Sequence, residues 1–286
     1  MKDTVILKSG KWTAGVNPRL GGNLISLSYD GKDVLRPLEN EEQLSVNPYI
    51  QGAPILLPAN RTYLGKFSFE GVEYTLPINE PRTNSHLHGL VHRQPFAIIE
   101  SSETSITMEF INTDGKVYPF DFRITATYSI DDEGLSQRFE ITNIGNSTMP
   151  YTFCLHTTFK QPEVRFTFPL KIKQEAINDI PTGRYVELSE VEKKFVTGSP
   201  AKDVTACGYY LAAGHTVTVD EFVYTVSENF DHWITWNAHG KKDYICLEPQ
   251  AGKVNGLNID DGHVLLKIGE THVYTTRFTR DANFKA

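Results

Sequence analysis

Cysteine is scarce in this chain. Three occur in 286 residues, Cys154, Cys207 and Cys246, an odd set without paired spacing. That excludes a disulfide-stapled fold and leads us to expect reduced thiols and a cytoplasmic protein. The sequons at Asn60-Arg61-Thr62 and Asn146-Ser147-Thr148 are then read as chance matches. Long apolar runs are missing too. No stretch approaches the ~20 residues needed to cross a bilayer. The opening "MKDTVILKSGKWTAG" has no apolar run followed by a cleavage site, so neither a leader nor a membrane partner is expected. Positive charge is in deficit, with 28 Lys and Arg against 35 Asp and Glu and a net charge of −7. A nucleic-acid binder needs a basic face, so that class is excluded. A neutral substrate suits this balance; a phosphorylated one would need a local cationic patch. Helical periodicity is almost absent, and only "LSEVEKKF", residues 188–195, reads as a short helix. No Gly/Ser-rich linker, composition shift or internal repeat divides the chain, so one domain over residues 1–286 is expected.

What the sequence does contain is a period of two. In "FRITATYSI", Phe122, Ile124, Ala126, Tyr128 and Ile130 share one face, and Arg123, Thr125, Thr127 and Ser129 the other. "SITMEFI", "EFVYTVS" and "HVYTTRF" alternate in the same way. Between such runs stand Asp30-Gly31, Glu70-Gly71, Asp114-Gly115, Glu133-Gly134 and Asp261-Gly262, pairs that supply the positive φ of hairpin turns. With 40% hydrophobic and 22% charged residues the chain can bury a sizeable core. Half-buried antiparallel strands in this number must pack on a second sheet or close on themselves. The fold class is therefore all-β, a large antiparallel sandwich. The Pro-containing "VNPYIQGAPILLPAN" reads as an ordered crossing over it.

A few polar residues stand where alternation would place apolar ones or where the backbone turns. In "YICLEPQAGKVNGLN", Ile245 and Leu247 face the core, so Glu248 faces the opposite side. Pro249 cannot donate to a ladder, which predicts that the strand stops there or lies at an edge. A carboxylate so placed is partly desolvated and becomes a better base, although a rim salt bridge would account for it equally. In "YTFCLHTTF", His156 shares a face with Cys154 and Thr158, an isolated imidazole that is either a satisfied structural residue or a proton donor. The segment "TNSHLHGLVHRQPF" holds His86, His88 and His92. His86 and His88 would share a face if extended, but no carboxylate accompanies them, which disfavours a metal site. Gly89 after His88 reads as a bend that lets a ligand approach closely. Arg61 is either a surface residue or a planar fork for a hydroxyl, ring oxygen or phosphate.

Taken in order, "NR" with the following "G.F…G..Y.L", then "LHG", an isolated histidine in an apolar strand, and "CLEP" with a downstream Asn resemble the aldose 1-epimerase (galactose mutarotase) superfamily. The opening "PRLGGNLISLSYDGKDVLRP" is similar as well, so the resemblance runs along essentially the whole chain. It implies a β-supersandwich with a sugar cleft, no cofactor, no metal, and a small-molecule aldohexose as partner, in a monomer or homodimer. It implies Glu248 as general base and His156 as general acid, with Arg61 and His88 binding the sugar near its ring oxygen and C1 hydroxyl. The acid and base are expected to converge at a spacing that fits a pyranose between them. There are departures: "HGL" replaces the usual "HGG", and "TTF" follows His156. "ENFDHWITWN" looks more like the branch acting on hexose 6-phosphates or the broadly assigned epimerases. In that stretch Asp231 would accept sugar hydroxyls, and Trp233 or Trp236 would be a platform or a core residue. His92 and Arg93 beside Arg61 would form the anion site of a hexose-6-phosphate 1-epimerase. A sugar-binding module without catalysis is the alternative from another class, and a cupin-like metal enzyme a third.

Overall fold

In the computed structural model, which describes residues 2–199, 204–240 and 243–284, alternation becomes strand wherever it is long. Phe122–Asp131 is the clearest case: Phe122, Ile124, Ala126, Tyr128 and Ile130 are buried on one face. Burying a large apolar side chain contributes roughly 1.5–3 kcal/mol. A one-residue slip would turn all of them to solvent, which pins the register.

Two eight-stranded antiparallel sheets form the body. The first runs in the order Ala97–Ser101, Ser105–Asn112, Phe122–Asp131, Gly134–Asn143, Thr271–Arg280, Phe222–Val226, Thr216–Val219, Phe166–Thr167. The second runs Ile180–Val186, Leu170–Ile177, Cys207–Ala212, His232–Trp236, Tyr244–Ala251, Phe153–Leu155, Ile55–Leu56, with Thr158–Lys160 also on Tyr244–Ala251. Aromatic rings join the sheets: Phe153 meets Tyr274 at 4.8 Å, Phe159 meets Phe278 at 6.0 Å, and Trp233 meets Tyr224 at 6.4 Å. A four-stranded sheet, Val5–Ser9 to Lys32–Asp33, docks Trp12 on Phe222 at 6.1 Å. One apolar core runs through all of this, from Leu7 to Phe278. The all-β sandwich expected from the pattern is what the chain forms.

Three local expectations need adjustment. The short helix spans Glu190–Thr197, two residues later than its periodicity suggests, because Ser189 and Glu192 form a reciprocal cap at its start. A second helix, Glu42–Val46, has no apolar face and no buried residue, so no periodicity announced it. Of the five turn pairs, Asp30-Gly31, Glu70-Gly71 and Glu133-Gly134 close hairpins between adjacent strands. Asp114-Gly115 and Asp261-Gly262 lie in longer loops instead. Among the described residues, no helix is long and apolar enough to cross a membrane.

The bend at His88-Gly89 exists, with φ of 63° and 62°, but it is the chain's own backbone that comes close. A Cβ on Gly89 would lie 2.0 Å from the Leu57 carbonyl oxygen. This packing carries His88 into place. Gly89→Ala is expected to lower stability by about 3 kcal/mol, read as a falling midpoint in urea, because both the positive φ and the clash oppose it.

Candidate active site

The face of the second sheet turned away from the core is the floor of a cavity of about 670 Å³. Register builds it. Tyr209 pairs with Ile234 and Ile234 with Glu248, so the three stand in one row across three strands. The next row, Cys207, Trp236 and Cys246, is two residues away on each strand and shares the face. On the other side of Tyr244–Ala251, Cys154 pairs with Gln250 and Thr158 with Cys246. Midway between those pairs, His156 stands opposite Glu248. The ladder is irregular there: Thr157 N–H turns back to Leu155 O at 2.8 Å, while Leu247 N–H still crosses to Thr157 O at 2.9 Å and His156 N–H donates to Pro54 O at 3.0 Å.

The same irregularity explains Pro249. The strand does not stop at Pro249 and is not at an edge; it continues to Ala251 with neighbours on both sides. By the parity of Leu247, the donor that Pro249 lacks would point at Leu155 O, which already accepts the Thr157 N–H at 2.8 Å. A proline in a central strand is tolerated for that reason.

His156 Nε2 lies 3.4 Å from Glu248 Oε1. They are 5% and 1% exposed. The pair is in contact, so no pyranose fits between them, contrary to the expected spacing. Both groups instead present themselves side by side to one edge of the cavity. Burial pushes the Glu248 carboxyl up to about 8, with the Cys154 thiol at 3.8 Å and the Arg61 charge pulling it partly back. Burial also pushes the His156 imidazole down to about 4. Between those values the two groups hold one proton, and the uncharged arrangement puts it on Glu248.

Loops raise the walls. Arg61 Nη1 donates to Tyr209 OH at 2.9 Å and to Asn60 Oδ1 at 3.3 Å, and its Nε lies 3.7 Å from Glu80 Oε2. His88 faces His156 edge-on at 5.1 Å, and Tyr49 covers His88 at 4.4 Å. Burial, with the neighbouring His156 and Arg61, drives the His88 pKa well below its usual value, so it is a neutral hydrogen bonder. At the rim, Arg82 pairs with Asp179 at 2.7 Å and with Glu80 at 3.3 Å. Asp179 is lifted there by the Asn178-Asp179 turn, at φ of 50° and 65°.

Four of the five residues singled out in the sequence, Glu248, His156, Arg61 and His88, thus line one cavity. Asp231 does not. Its side chain is 53% exposed, accepts the Gly252 N–H at 2.8 Å and lies 2.9 Å from His232 Nδ1. Its position just before the strand His232–Trp236 puts it at a different end of the sheet from Trp236, which does line the cavity. Trp233 is a core residue donating Nε1–H to Gly214 O.

The early histidines divide. The strand Ser85–Leu87 ends before the kink at His88, so His86 does not share its face; His86 Nδ1 bonds Pro77 O at 2.7 Å. His92 is buried outside the cavity lining and held neutral, pushed down to about 3 by burial and by Arg93. Arg93 is exposed and donates to His92 Nε2. Neither lines the cavity with Arg61, although Arg93 also reaches Tyr49, which does. Tyr49, Glu80, Arg82, Asp179 and Tyr209 were not legible as site residues. Tyr209 stands on the strand Cys207–Ala212, which does not alternate, and only register shows which strand it neighbours.

With this geometry in place, comparison with known proteins is direct. The sequence profile of the aldose 1-epimerase family matches residues 3–279, and the chain belongs to that family. It is 31% identical over 155 residues to the uncharacterized protein YihR of Escherichia coli K12, a match covering 54% of this chain and 49% of that relative's length. Its fold is similar to the crystal structure of a galactose mutarotase-like protein from Clostridium acetobutylicum, with TM-score 0.89, 21% identity and coverage of 96% and 94% of the two chains. It is also similar to galactose 1-epimerase from Lactobacillus acidophilus, with TM-score 0.78, 14% identity and coverage of 96% and 93%. The architecture is thus galactose mutarotase-like.

Burial of the pair has a cost that can be measured. A carboxyl with a raised folded-state pKa supports folding fully below its unfolded value near 4.5 and loses that support as pH rises to about 8. The loss amounts to roughly 4 kcal/mol at pH 8, at about 1.4 kcal/mol per unit. His156 works in the opposite direction, supporting folding above pH 6.5 and losing that support as pH falls to about 4. Glu248→Gln is therefore expected to raise the calorimetric melting temperature by several degrees at pH 8, with the gain vanishing toward pH 4.5.

Proposed function

We propose that this chain is an aldose 1-epimerase that interconverts the α and β anomers of an unphosphorylated aldohexose by general acid–base ring opening and closure. The observation that carries the proposal is the buried contact between His156 Nε2 and Glu248 Oε1 at 3.4 Å on the cavity floor.

Mutarotation needs one proton removed from the C1 hydroxyl and another delivered to the ring oxygen. Both oxygens are bonded to the same carbon, so an acid and a base in contact suit them better than a pair on opposite sides of the ring. In the reading we favour, bound sugar stabilises the tautomer with Glu248 ionised and His156 protonated, which has the same proton count as the neutral pair. Arg61 assists by favouring the carboxylate. Glu248 then takes the C1 hydroxyl proton while His156 gives its proton to the ring oxygen, and the ring opens to the aldehyde. This step discharges the ion pair and returns the site to the neutral arrangement that burial favours. Rotation about C1–C2 and closure on the other face reverse the transfers. Arg61 and His88 line the same cavity beside the pair, and Arg61 Nε and His88 Nδ1 are buried without a hydrogen-bond partner among the described residues.

The charges at the cavity favour a neutral sugar. Among the described residues its cations are Arg61 and Arg82, and each lies against Glu80 or Asp179. A phosphate would meet those carboxylates before it met a free cation. A module that only bound sugar would have no use for two titratable groups desolvated in contact.

Polarimetry on freshly dissolved α-glucose and α-galactose tests the proposal. Glu248→Gln and His156→Asn are each expected to cut the catalysed rate by about 10²–10⁴-fold while leaving the circular dichroism unchanged. Wild-type kcat/KM is expected to fall below pH 4 and above pH 8, the limits within which the pair holds one proton. Acceleration of glucose 6-phosphate but not of free sugar would refute the substrate class; acceleration of neither would refute the reaction.

A further inference from the structure

Directly behind the acid–base pair lies a third group that ring opening does not use. Cys246 is two residues before Glu248 on the same strand face, buried among Ile50, Tyr244 and Trp236. Its Sγ, a ring nitrogen of His156 and a Glu248 carboxylate oxygen all lie within 4.8 Å of one another. From the arrangement of these three atoms the geometry points to an inhibitory site for a borderline-soft divalent cation, Zn²⁺ above all, seated on the cavity floor in competition with sugar. The inference rests on the proposed reaction for its consequence, but not for the site itself.

The donor set is one that zinc accepts: a thiolate, an imidazole nitrogen and a carboxylate oxygen. With zinc–ligand distances of about 2.0–2.3 Å, tetrahedral ligands stand roughly 3.5 Å apart. The His156–Glu248 distance of 3.4 Å already meets that spacing. Closing Cys246 onto the other two takes a side-chain movement of about 1 Å. The fourth position faces the cavity, which His156 and Glu248 both line. Binding replaces the thiol proton of Cys246 and the carboxyl proton of Glu248, and both are released to solvent as the dication neutralises the two anions. His156 Nδ1 has no partner among the described residues, whereas a dedicated zinc histidine is held by a second hydrogen bond. Among the described residues Thr158 Oγ1, 3.5 Å from Cys246 Sγ, and Cys154 Sγ, 3.8 Å from Glu248 Oε2, support the set from behind. The site therefore suits reversible capture of a free metal ion, not a permanent structural one.

Titration of the purified chain with Co²⁺ tests the site without reference to catalysis. A thiolate-to-metal charge-transfer band in the near ultraviolet, saturating at one ion per chain and erased by Zn²⁺, is expected. Cys246→Ser should abolish the band. In polarimetry, Zn²⁺ should inhibit competitively with sugar and be reversed by chelator, and Cys246→Ser should keep the uninhibited rate while raising the inhibition constant at least tenfold. If Cys246→Ser does not fold, Glu248→Gln, which removes a second donor, should weaken Co²⁺ binding at least tenfold. Absence of the band in the wild type, or a band and affinity unchanged in these variants, overturns the inference. A Cys246-dependent band in a chain that accelerates no sugar would uphold the metal site and refute the epimerase reading alone.

Discussion

Two ionisable groups taken out of water and pressed together on adjacent strands are the constraint around which this protein is arranged. A buried carboxyl and imidazole cannot both be charged cheaply and cannot be left charged singly. In contact, with one proton between them, they avoid both penalties. That solution needs a floor that does not move, because a shift of an ångström would open the 3.4 Å contact. The strand Tyr244–Ala251, buried at every position and paired on both sides, is such a floor. The aromatic contacts between the two sheets hold it from behind.

The walls follow from the same requirement. Charged side chains near a desolvated pair would drag its proton one way or the other, and here each is answered. Arg61 is shared by Tyr209, Asn60 and Glu80, and Arg82 by Glu80 and Asp179. His88 is kept neutral by burial. What remains exposed to the cavity is a set of hydrogen-bonding groups with little net charge, which is the surface a polyhydroxylated neutral molecule prefers. Stability is given up for this: the folded chain tolerates Glu248 better as an acid than as an anion.

The placement of Cys154 and Cys246 on either side of Glu248 adds a chemical vulnerability to the same floor. Both thiols are packed as small apolar side chains and are pushed toward their protonated forms by burial. They fit the space beside a neutral carboxyl without adding charge. Only a metal ion, by supplying positive charge of its own, would change that balance.

Much of the fold was legible because a period of two leaves few alternatives. The alternation of Phe122 to Ile130 defines both its strand and its buried face. Alternation put Glu248 and His156 on the polar face of apolar strands but left each with an ordinary structural reading, and it was the resemblance to the aldose 1-epimerases that made them candidate base and acid. Asp231 and the grouping of His92 and Arg93 with Arg61 misled, since being close in the sequence to site residues does not place side chains in one cavity. The short helix at Glu42–Val46 and the rim residues Glu80, Arg82 and Asp179 carry no periodic signal at all. By itself, then, the sequence determined which faces are buried, because burial is a local matter of spacing and side-chain chemistry. Only the tertiary structure decided that His156 stands opposite Glu248 in contact, that Pro249 falls where the ladder is irregular, and that Tyr209 and Arg61 meet. Those are matters of register and crossing between segments up to 148 residues apart, and no local pattern encodes them.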